Sequence, residues 1–452
     1  MMNRSWRLLA LALVLLGQAG SAWAADTLVW HGQAGRVDAN LDGWRLVPML
    51  RRLARVSGWD IFLEPGITNQ ISVKFKDLPV DEALGRLLHG INYMRVETNG
   101  SSQLFVYQTA AKSAIERVKA EARASGTNDH VIPNELLVHL KRNSKVNIDL
   151  LASQLGARIV GRDDKLRLYR LQFDDAAAAQ TALDFLDKND GVAQVDFNYT
   201  VDLPSPFNLQ RASNPGGVNP LLNPPPPSKD GPVVGLVDTA VQPQDFLKAY
   251  LLKQMSEAGP ATLPDGTPLH GTSMAETLLQ GMGEAPGKIL PVDVYGNSPN
   301  TSTYQVVLGI ADAINAGANP INLSLGGTGD SQMLHDIIQQ GRDKGILFVA
   351  AAGNDGQRNA LSFPAAYPEV LSVTSIGPNG QLASYANSDS SVDAAASGTS
   401  YITLDGQTWV VEGTSVSTAY ISGRIVQLIN QNHLTMAQAI NQVLATSQAP
   451  KK

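Results

Sequence analysis

The sequence contains no cysteine among its 452 residues. This absence excludes disulfides, thiol catalysis and cysteine-ligated metal sites. Charged residues make up only 17%, and 35 Lys and Arg against 41 Asp and Glu give a formal net charge of −6. An acidic chain without a basic stripe is a poor candidate for nucleic-acid binding, because phosphate contacts need clustered cations. Hydrophobic residues reach 43%, which excludes a wholly disordered chain and suffices for more than one core.

The first 24 residues have the pattern of a secretory signal peptide. Arg4 and Arg7 stand at the start, residues 8–16 are an unbroken apolar run, and residues 22–24 read Ala-Trp-Ala. This order is typical of a signal peptidase site, and the run is shorter than the ~20 residues that a membrane span needs. We therefore predict cleavage after Ala24 and a periplasmic or secreted protein without a transmembrane segment.

Two small α+β domains are predicted next. Residues 25–110 alternate strand patterns with two helical patterns, and residues 131–202 follow the order β-α-β-β-α-β of a ferredoxin-like domain. An Ala-rich, charged stretch within residues 111–130 predicts a helical connector between them. Prolines concentrate in residues 203–230, which predicts an extended, solvent-exposed linker that is open to proteolysis.

The last block, residues 231–452, carries the candidate chemistry. Apolar strand patterns alternate with helical patterns, which predicts an α/β domain with a parallel sheet and helices on both faces. Four positions stand out: Asp238 ends a buried strand, His270 opens a helix, Asn354 follows a strand between glycines, and Ser415 begins a buried helix. Each alone has a plain structural interpretation as a strand end, helix start, turn or N-cap. Together they provide a carboxylate, a base, an oxyanion donor and a nucleophile.

The order Asp, His, Ser along the chain is that of subtilisin. With the segments Val-Asp-Thr at 237–239, His-Gly-Thr-Ser at 270–273, Gly-Asn at 353–354 and Gly-Thr-Ser at 413–415, the block resembles the subtilisin-like serine proteases, or subtilases. The resemblance implies a subtilisin-like sheet, with Ser415 as nucleophile, His270 as general base and acid, Asp238 as orienting carboxylate and Asn354 as oxyanion donor. It also implies that substrate binds along Ser324, Leu325 and Gly326 and beside the small residues Ala351, Ala352 and Gly353.

Three positions depart from the family pattern: Ala240, Glu276 and Ala419. None removes a catalytic atom. Glu276 lies within about two helical turns of His270, where it would either alter the pKa of the base or face solvent. The sequence predicts no cofactor; the resemblance allows structural calcium, but no Asp-rich calcium loop stands out.

The two small domains also resemble known modules. Residues 131–138 look like part of a subtilase propeptide, which implies an intramolecular inhibitor and a zymogen that cleaves itself in or near residues 203–230. Residues 71–84 resemble the short N-terminal domain of secretins and TonB-dependent receptors, which implies an envelope protein as partner of residues 25–110. A generic packed domain without a partner is the alternative.

These patterns predict a secreted or periplasmic serine endopeptidase that hydrolyses peptide bonds of protein substrates through an acyl-enzyme. Two alternatives stay open. The chain is either an inactive subtilase-fold protein that serves as a binding scaffold, or an envelope interaction module in which proteolysis is secondary. Reactivity of Ser415 toward a fluorophosphonate separates the protease from the scaffold.

Overall fold

The computed structural model describes residues 27–31, 35–64, 67, 69–98, 101–110, 112, 116–118, 130–203, 208–212, 225–227, 231–358, 361–389 and 391–447. The predicted signal peptide lies outside these residues. The chain divides into two compact units, Met1–Glu121 and Ala122–Lys452. No helix within the described residues is long and apolar enough to cross a membrane.

The described residues of the first unit form two small sheets and two helices. Its elements are β1 (Thr27–His31), β2 (Arg36–Arg45), α1 (Leu46–Ser57), β3 (Asp60–Leu63), β4 (Gln70–Pro79), α2 (Val80–Leu87), β5 (Asn92–Thr98), β6 (Ser101–Tyr107) and β7 (Glu116–Val118). The strand orders are β1-β2-β4 and β5-β6-β3-β7. Leu46, Leu50 and Leu53 of α1 share one core with Leu84 and Leu87 of α2, because apolar residues spaced three or four apart lie on one helix face.

β7 corrects the predicted connector helix. Glu116–Val118 pairs antiparallel with β3, inside the stretch for which the sequence predicts a helix. Pairing with the edge of an existing sheet overrides the helix preference of an Ala-rich, charged segment, because propensity is weaker than tertiary context. Residues 119–129 of the connector lie outside the described residues.

The second unit begins with an antiparallel sheet that packs on two helices. Its elements are β8 (Val131–Leu140), α3 (Ile148–Gln154), β9 (Arg158–Asp163), β10 (Leu168–Gln172), α4 (Ala176–Leu186) and β11 (Val192–Asp202). The strands lie in the order β11-β8-β10-β9. The side chains of Asn147 and Asp175 accept hydrogen bonds from the first turns of α3 and α4, so both helices begin at capped residues.

The remainder of the second unit is built on a parallel sheet. Its elements are β12 (Asn208–Arg211), β13 (Val233–Asp238), β14 (Met255–Ser256), α5 (His270–Met282), β15 (Lys288–Asp293), β16 (Asn300–Ser302), α6 (Thr303–Asn315), β17 (Ile321–Leu323), α7 (Gln332–Asp343), β18 (Phe348–Ala351), β19 (Val370–Ile376), β20 (Ala394–Ser397), β21 (Thr399–Leu404), β22 (Gln407–Glu412), α8 (Thr414–Asn432) and α9 (Met436–Thr446). Parallel strands follow the order β14-β15-β13-β17-β18-β19-β20. Leu236 packs with α5 and α8 while Val237 packs with α6, because successive strand residues face opposite sides. Helices therefore cover both faces, as the sequence predicts.

Two glycines let α5 and α8 approach each other closely. A Cβ at Gly281 would lie 2.3 Å from the carbonyl oxygen of Tyr420, and a Cβ at Gly423 would lie 2.2 Å from that of Leu278. Both distances are far inside van der Waals contact, so only glycine fits at either position. The helix that begins with His270 and the helix that carries Ser415 therefore pack backbone against backbone.

Part of the predicted open linker is paired. β12 pairs antiparallel with β22, which is the central strand of the three-stranded sheet β12-β22-β21. Residues 208–211 read Asn-Leu-Gln-Arg and contain no proline, so every one of them has an N–H group for pairing. Most of the other residues in 203–230 lie outside the described part of the chain.

Candidate active site

Asp238 and His270 lie in direct contact at the carboxyl edge of the sheet. β13 ends at Asp238, and α5 begins at His270. Nδ1 of His270 lies 2.7 Å from Oδ1 of Asp238, and both residues are buried. An ionised carboxylate only accepts hydrogen bonds, so Nδ1 is the donor in this contact and Nε2 is the nitrogen left to act as a base.

The glycine after His270 allows this contact. The N–H of Gly271 donates to Oγ1 of Thr239 at 2.8 Å. A Cβ at Gly271 would lie 2.2 Å from the carbonyl oxygen of Thr239. The first turn of α5 therefore lies directly on the residue after Asp238, and a side chain there would push His270 away from its carboxylate.

Asn354 lies beside the first turn of α8. Its Oδ1 accepts hydrogen bonds from the N–H and the hydroxyl of Thr414, both at 2.9 Å. These contacts fix the orientation of the amide, so its NH₂ group points away from Thr414. Asn354 therefore presents a donor next to the residue that precedes Ser415.

Ser415 is buried in the first turn of α8 and is tied to the end of β17. Its hydroxyl donates to the carbonyl oxygen of Ser324 at 3.1 Å, and the hydroxyl of Ser324 donates to the carbonyl oxygen of Ser415 at 3.0 Å. Asn322 donates to the same Ser324 hydroxyl at 2.9 Å. Ser324, predicted to bind substrate, thus contacts the candidate nucleophile itself. Backbone N–H groups at a helix start favour negative charge, which suits a developing oxyanion.

A cavity of about 130 Å³ lies beside these residues. Its wall includes Leu325, Gly326, Ala351, Gly353, Asn354, Ser362 and Thr414, together with Asp202 and Leu203 from the end of β11 and the residue after it. Ala352 belongs to the apolar core instead. Most of the predicted substrate-binding residues therefore line one cavity. The end of β11 lines the same cavity.

The end of β11 extends along the edge of β16. Residues 200–202 pair antiparallel with β16, and the N–H of Leu203 donates to the carbonyl oxygen of Pro299 at 3.3 Å. On the other side, a Cβ at Gly327 would lie 3.3 Å from the carbonyl oxygen of Thr200. Sequence reasoning missed β16, since Asn-Thr-Ser directly before a helix has no strand pattern.

Two polar side chains of β11 bind helix N-termini of the parallel-sheet region. Oδ1 of Asn198 accepts a hydrogen bond from the N–H of Tyr304 in α6 at 3.2 Å. The carboxylate of Asp196 accepts from the hydroxyl of Ser331 at 2.7 Å and from the N–H of Met333 at 3.4 Å. Burial raises the pKa of Asp196 to about 6. The first N–H groups of a helix lack partners of their own, so these contacts hold β11 in place.

Glu276 faces β21. Its Oε2 accepts a hydrogen bond from the N–H of Thr403 at 2.8 Å, and the side chain is completely buried. Burial raises the pKa of Glu276 to about 8, so the carboxyl group is mostly protonated at neutral pH. Of the two alternatives that the sequence leaves open for Glu276, the solvent-facing one is wrong. Within the described ranges, no group of three or more His, Asp or Glu side chains is arranged to hold a metal ion.

The structure brings His270 to Asp238 and Asn354 to the first turn of α8, whereas the hydroxyl of Ser415 donates to Ser324. These residues lie in an α/β fold with a parallel sheet. A family profile described as "Subtilase family" matches residues 229–451. A second profile, "Fervidolysin N-terminal prodomain", matches residues 116–198. Residues 229–451 belong to the subtilase family, and a fervidolysin-like prodomain precedes them.

Curated relatives agree with this assignment. Subtilisin E of Bacillus subtilis (strain 168) is 33% identical over 182 residues, which are 38% of this chain and 48% of that protein. Subtilisin DY of Bacillus licheniformis is 29% identical over 227 residues, which are 47% of this chain and 82% of that protein. Several curated relatives are matched over less than half of their own length.

A solved structure supports the fold. Fervidolysin from Fervidobacterium pennivorans, described as a keratinolytic enzyme related to subtilisin, aligns with a TM-score of 0.54 at 18% identity. The alignment covers 69% of this chain and 57% of that one. At this identity the likeness concerns the fold alone, and the chain has a subtilisin-like α/β fold.

Proposed function

We propose that residues 231–452 are a serine endopeptidase that hydrolyses peptide bonds through Asp238, His270 and Ser415. The observation that carries the proposal is the 2.7 Å contact between Nδ1 of His270 and Oδ1 of the buried Asp238. A buried carboxylate that orients an imidazole, in a fold shared with subtilases, supports general-base chemistry better than a purely structural role.

In the proposed reaction, Oγ of Ser415 attacks the carbonyl carbon of the substrate while Nε2 of His270 takes its proton. Asp238 keeps the ring in the required tautomer and stabilises the imidazolium that forms. Nδ2 of Asn354 and the N–H groups at the start of α8 stabilise the oxyanion. His270 then protonates the leaving amine, and water releases the acyl group by the same route in reverse.

We propose in addition that residues 131–202 are a ferredoxin-like propeptide that inhibits the same chain. The pairing of residues 200–202 with β16 and the presence of Leu203 in the wall of the cavity support this. An extended strand in that position mimics a bound peptide. Cleavage within residues 203–230 would turn the intramolecular inhibitor into a separate fragment that can dissociate, and we propose that the enzyme makes this cut itself.

A fluorophosphonate probe tests the proposed activity. We expect it to label Ser415 quickly in the processed protein and slowly in the uncut chain, and Ser415→Ala to abolish the label. Ser417→Ala is the matched control, because this buried hydroxyl of α8 donates to the carbonyl oxygen of Ala396 at 3.0 Å. A processed, folded wild-type protein that is not labelled would contradict the activity. If Ser415→Ala yields the same fragments as wild type in the same host, self-cleavage is wrong.

We also propose export by the N-terminal signal and an envelope protein as partner of residues 25–110. The first unit has an apolar core of its own, built on α1, α2 and their strands, which supports an independently folded binding module. N-terminal sequencing of the exported species should start after Ala24. A pulldown with residues 25–110 that recovers no envelope protein would count against the partner.

A further inference from the structure

Tyr295 connects the parallel-sheet region to β11, the strand whose end lines the cavity. It follows β15 by two residues and is 2% exposed. Its hydroxyl donates to the backbone carbonyl oxygen of Asp202 at 3.1 Å. A hydrogen bond to a main-chain carbonyl oxygen does not depend on the side chain of the residue that supplies the carbonyl. Any peptide that binds in the position of β11 therefore offers the same acceptor.

The turn that carries Tyr295 is fixed to the strand of Asp238. The N–H of Val294 donates to the carbonyl oxygen of Asp238 at 2.9 Å. Oδ1 of Asp293 accepts from the N–H groups of Tyr295 and Gly296, both at 2.9 Å. The phenol is therefore held by the same pair of strands that positions the candidate orienting carboxylate, and it needs no rearrangement to meet a peptide.

The hydroxyl of Tyr295 is a permanent donor. Burial, and after it the negative charges of Asp238 and Asp202, raise the pKa of Tyr295 well above its ordinary value. The phenol therefore keeps its proton, and a protonated phenol can donate to a carbonyl oxygen.

The acceptor lies at a defined place relative to the cavity. Asp202 directly precedes Leu203, and both line the cavity together with Asn354 and Thr414. We propose that Tyr295 is a substrate-positioning residue, and that the residue in the position of Leu203 is the one whose carbonyl is attacked, since Leu203 shares the cavity wall with the candidate oxyanion donor Asn354. The hydroxyl of Tyr295 then binds the peptide carbonyl oxygen of the residue just before it. This inference rests on the proposed endopeptidase function, and β11 is its bound example within the chain.

A pair of peptides tests the hydrogen bond. The two are identical except that sulfur, a weaker acceptor, replaces the carbonyl oxygen of the residue before the one whose carbonyl is attacked; mass spectrometry maps the cut. For the processed wild-type enzyme we expect the sulfur peptide to lose about 10-fold in kcat/KM, because a buried donor loses its partner. Tyr295→Phe should lose about 10-fold on the ordinary peptide and show no further loss with sulfur.

Tyr367→Phe is the matched control. Tyr367 is a buried tyrosine whose hydroxyl also donates to a backbone carbonyl, that of Ser331, at 2.7 Å. Removal of the Tyr367 hydroxyl should leave the discrimination between the two peptides as in wild type. The pH profile of Tyr295→Phe should match that of wild type, because the phenol acts on the substrate and not through His270.

Three outcomes would overturn the proposal. Wild-type enzyme that cleaves both peptides equally well needs no variant to contradict it. Tyr295→Phe that still discriminates as wild type does, or whose pH profile shifts, shows that the residue acts elsewhere. A failure of the endopeptidase function itself is distinguishable, because wild type would then neither react with the fluorophosphonate nor cleave either peptide.

Discussion

Two buried carboxylates of the second unit, Glu135 and Asp238, have opposite surroundings. Glu135, 2% exposed, accepts from Nε and Nη2 of Arg170 at 2.7 and 2.8 Å and from Nδ2 of Asn198 at 2.8 Å. Gln172 adds a longer contact at 3.3 Å. Both oxygens are therefore used, and Asn198, which also binds the N-terminus of α6, is held in one orientation.

Asp238 is equally buried but only half paired. Oδ1 accepts from the N–H of Thr239 and from His270, whereas Oδ2 has no hydrogen-bond partner among the described residues. A buried charge is costly unless it is fully paired, so such an arrangement persists where a function requires it. In the proposed reaction a positive charge forms on His270, and the contact with Asp238 then strengthens. The fully paired Glu135 holds neighbouring side chains in place, whereas the incompletely paired Asp238 can stabilise a positive charge on His270.

The largest expected effect is that of Asp238→Asn. An amide keeps the shape but can hold His270 in the wrong tautomer, so we expect kcat to fall on the order of 10⁴-fold. The melting temperature of the processed enzyme should stay equal or rise, since an incompletely paired charge is removed. Peptide kinetics and thermal unfolding measure both. A loss in kcat below 10-fold would remove the distinction between the two carboxylates.

Glu135→Gln should affect the prodomain and not the chemistry. The variant leaves Arg170 without its carboxylate and weakens the brace on Asn198, so we expect about 3 kcal/mol of local destabilisation, or roughly 10²-fold faster hydrogen exchange at β8. Exchange is measured in the full chain in a Ser415→Ala background. Asp184→Asn, on the exposed side of α4, is the control and should change nothing. A lower kcat of the processed Glu135→Gln enzyme would contradict the assignment.

The smallest expected effect is that of Glu276→Gln, which changes how the stability depends on pH. The pKa of Glu276 is raised from 4.5 to about 8, so the folded state keeps a proton that the unfolded chain loses above pH 4.5. The free energy of unfolding therefore falls as the pH rises toward 8 and levels off beyond it. Glu276→Gln cannot ionise, so its melting temperature should exceed that of wild type by several degrees at pH 9 and by much less at pH 5.

The control for this titration is Glu284→Gln, an exposed carboxylate just beyond the same helix. Its melting temperature should differ from that of wild type by a constant amount across the same pH range. If Glu276→Gln also shows a constant difference, the buried carboxyl does not couple to folding.

Local sequence patterns predicted the helices and strands whose capping residues and apolar spacing lie within the element itself. α4 (Ala176–Leu186) is the second helix of the predicted β-α-β-β-α-β order, because Asp175 caps its first turn and Ala179, Ala182 and Leu186 form its buried face. β13 ends at Asp238 and α5 begins at His270, also as predicted. The parallel sheet follows from the alternation of apolar strands and helices. Where capping, periodicity and turn residues agree, the sequence alone determines the element.

The elements that escaped prediction depend on partners far away in the chain. β16 is a strand because β11 lies beside it, and β12 is a strand because β22 does. The orientation of Glu276 depends on the N–H of Thr403, 127 residues later. Such contacts are decided by tertiary packing, which a single sequence does not display. The carboxylate network of Glu135 and the contact from Tyr295 to β11 arise in the same way.

The backbone contact between α5 and α8 has a consequence for protein engineering. Exchange of glycine for alanine within helices is a common way to raise thermostability, because it restricts the unfolded chain. At Gly281 or Gly423 the added methyl group would instead force apart the helices that carry His270 and Ser415. Mutant libraries made to raise thermostability should keep glycine at both positions, because the close packing of the two helices requires that neither residue has a side chain.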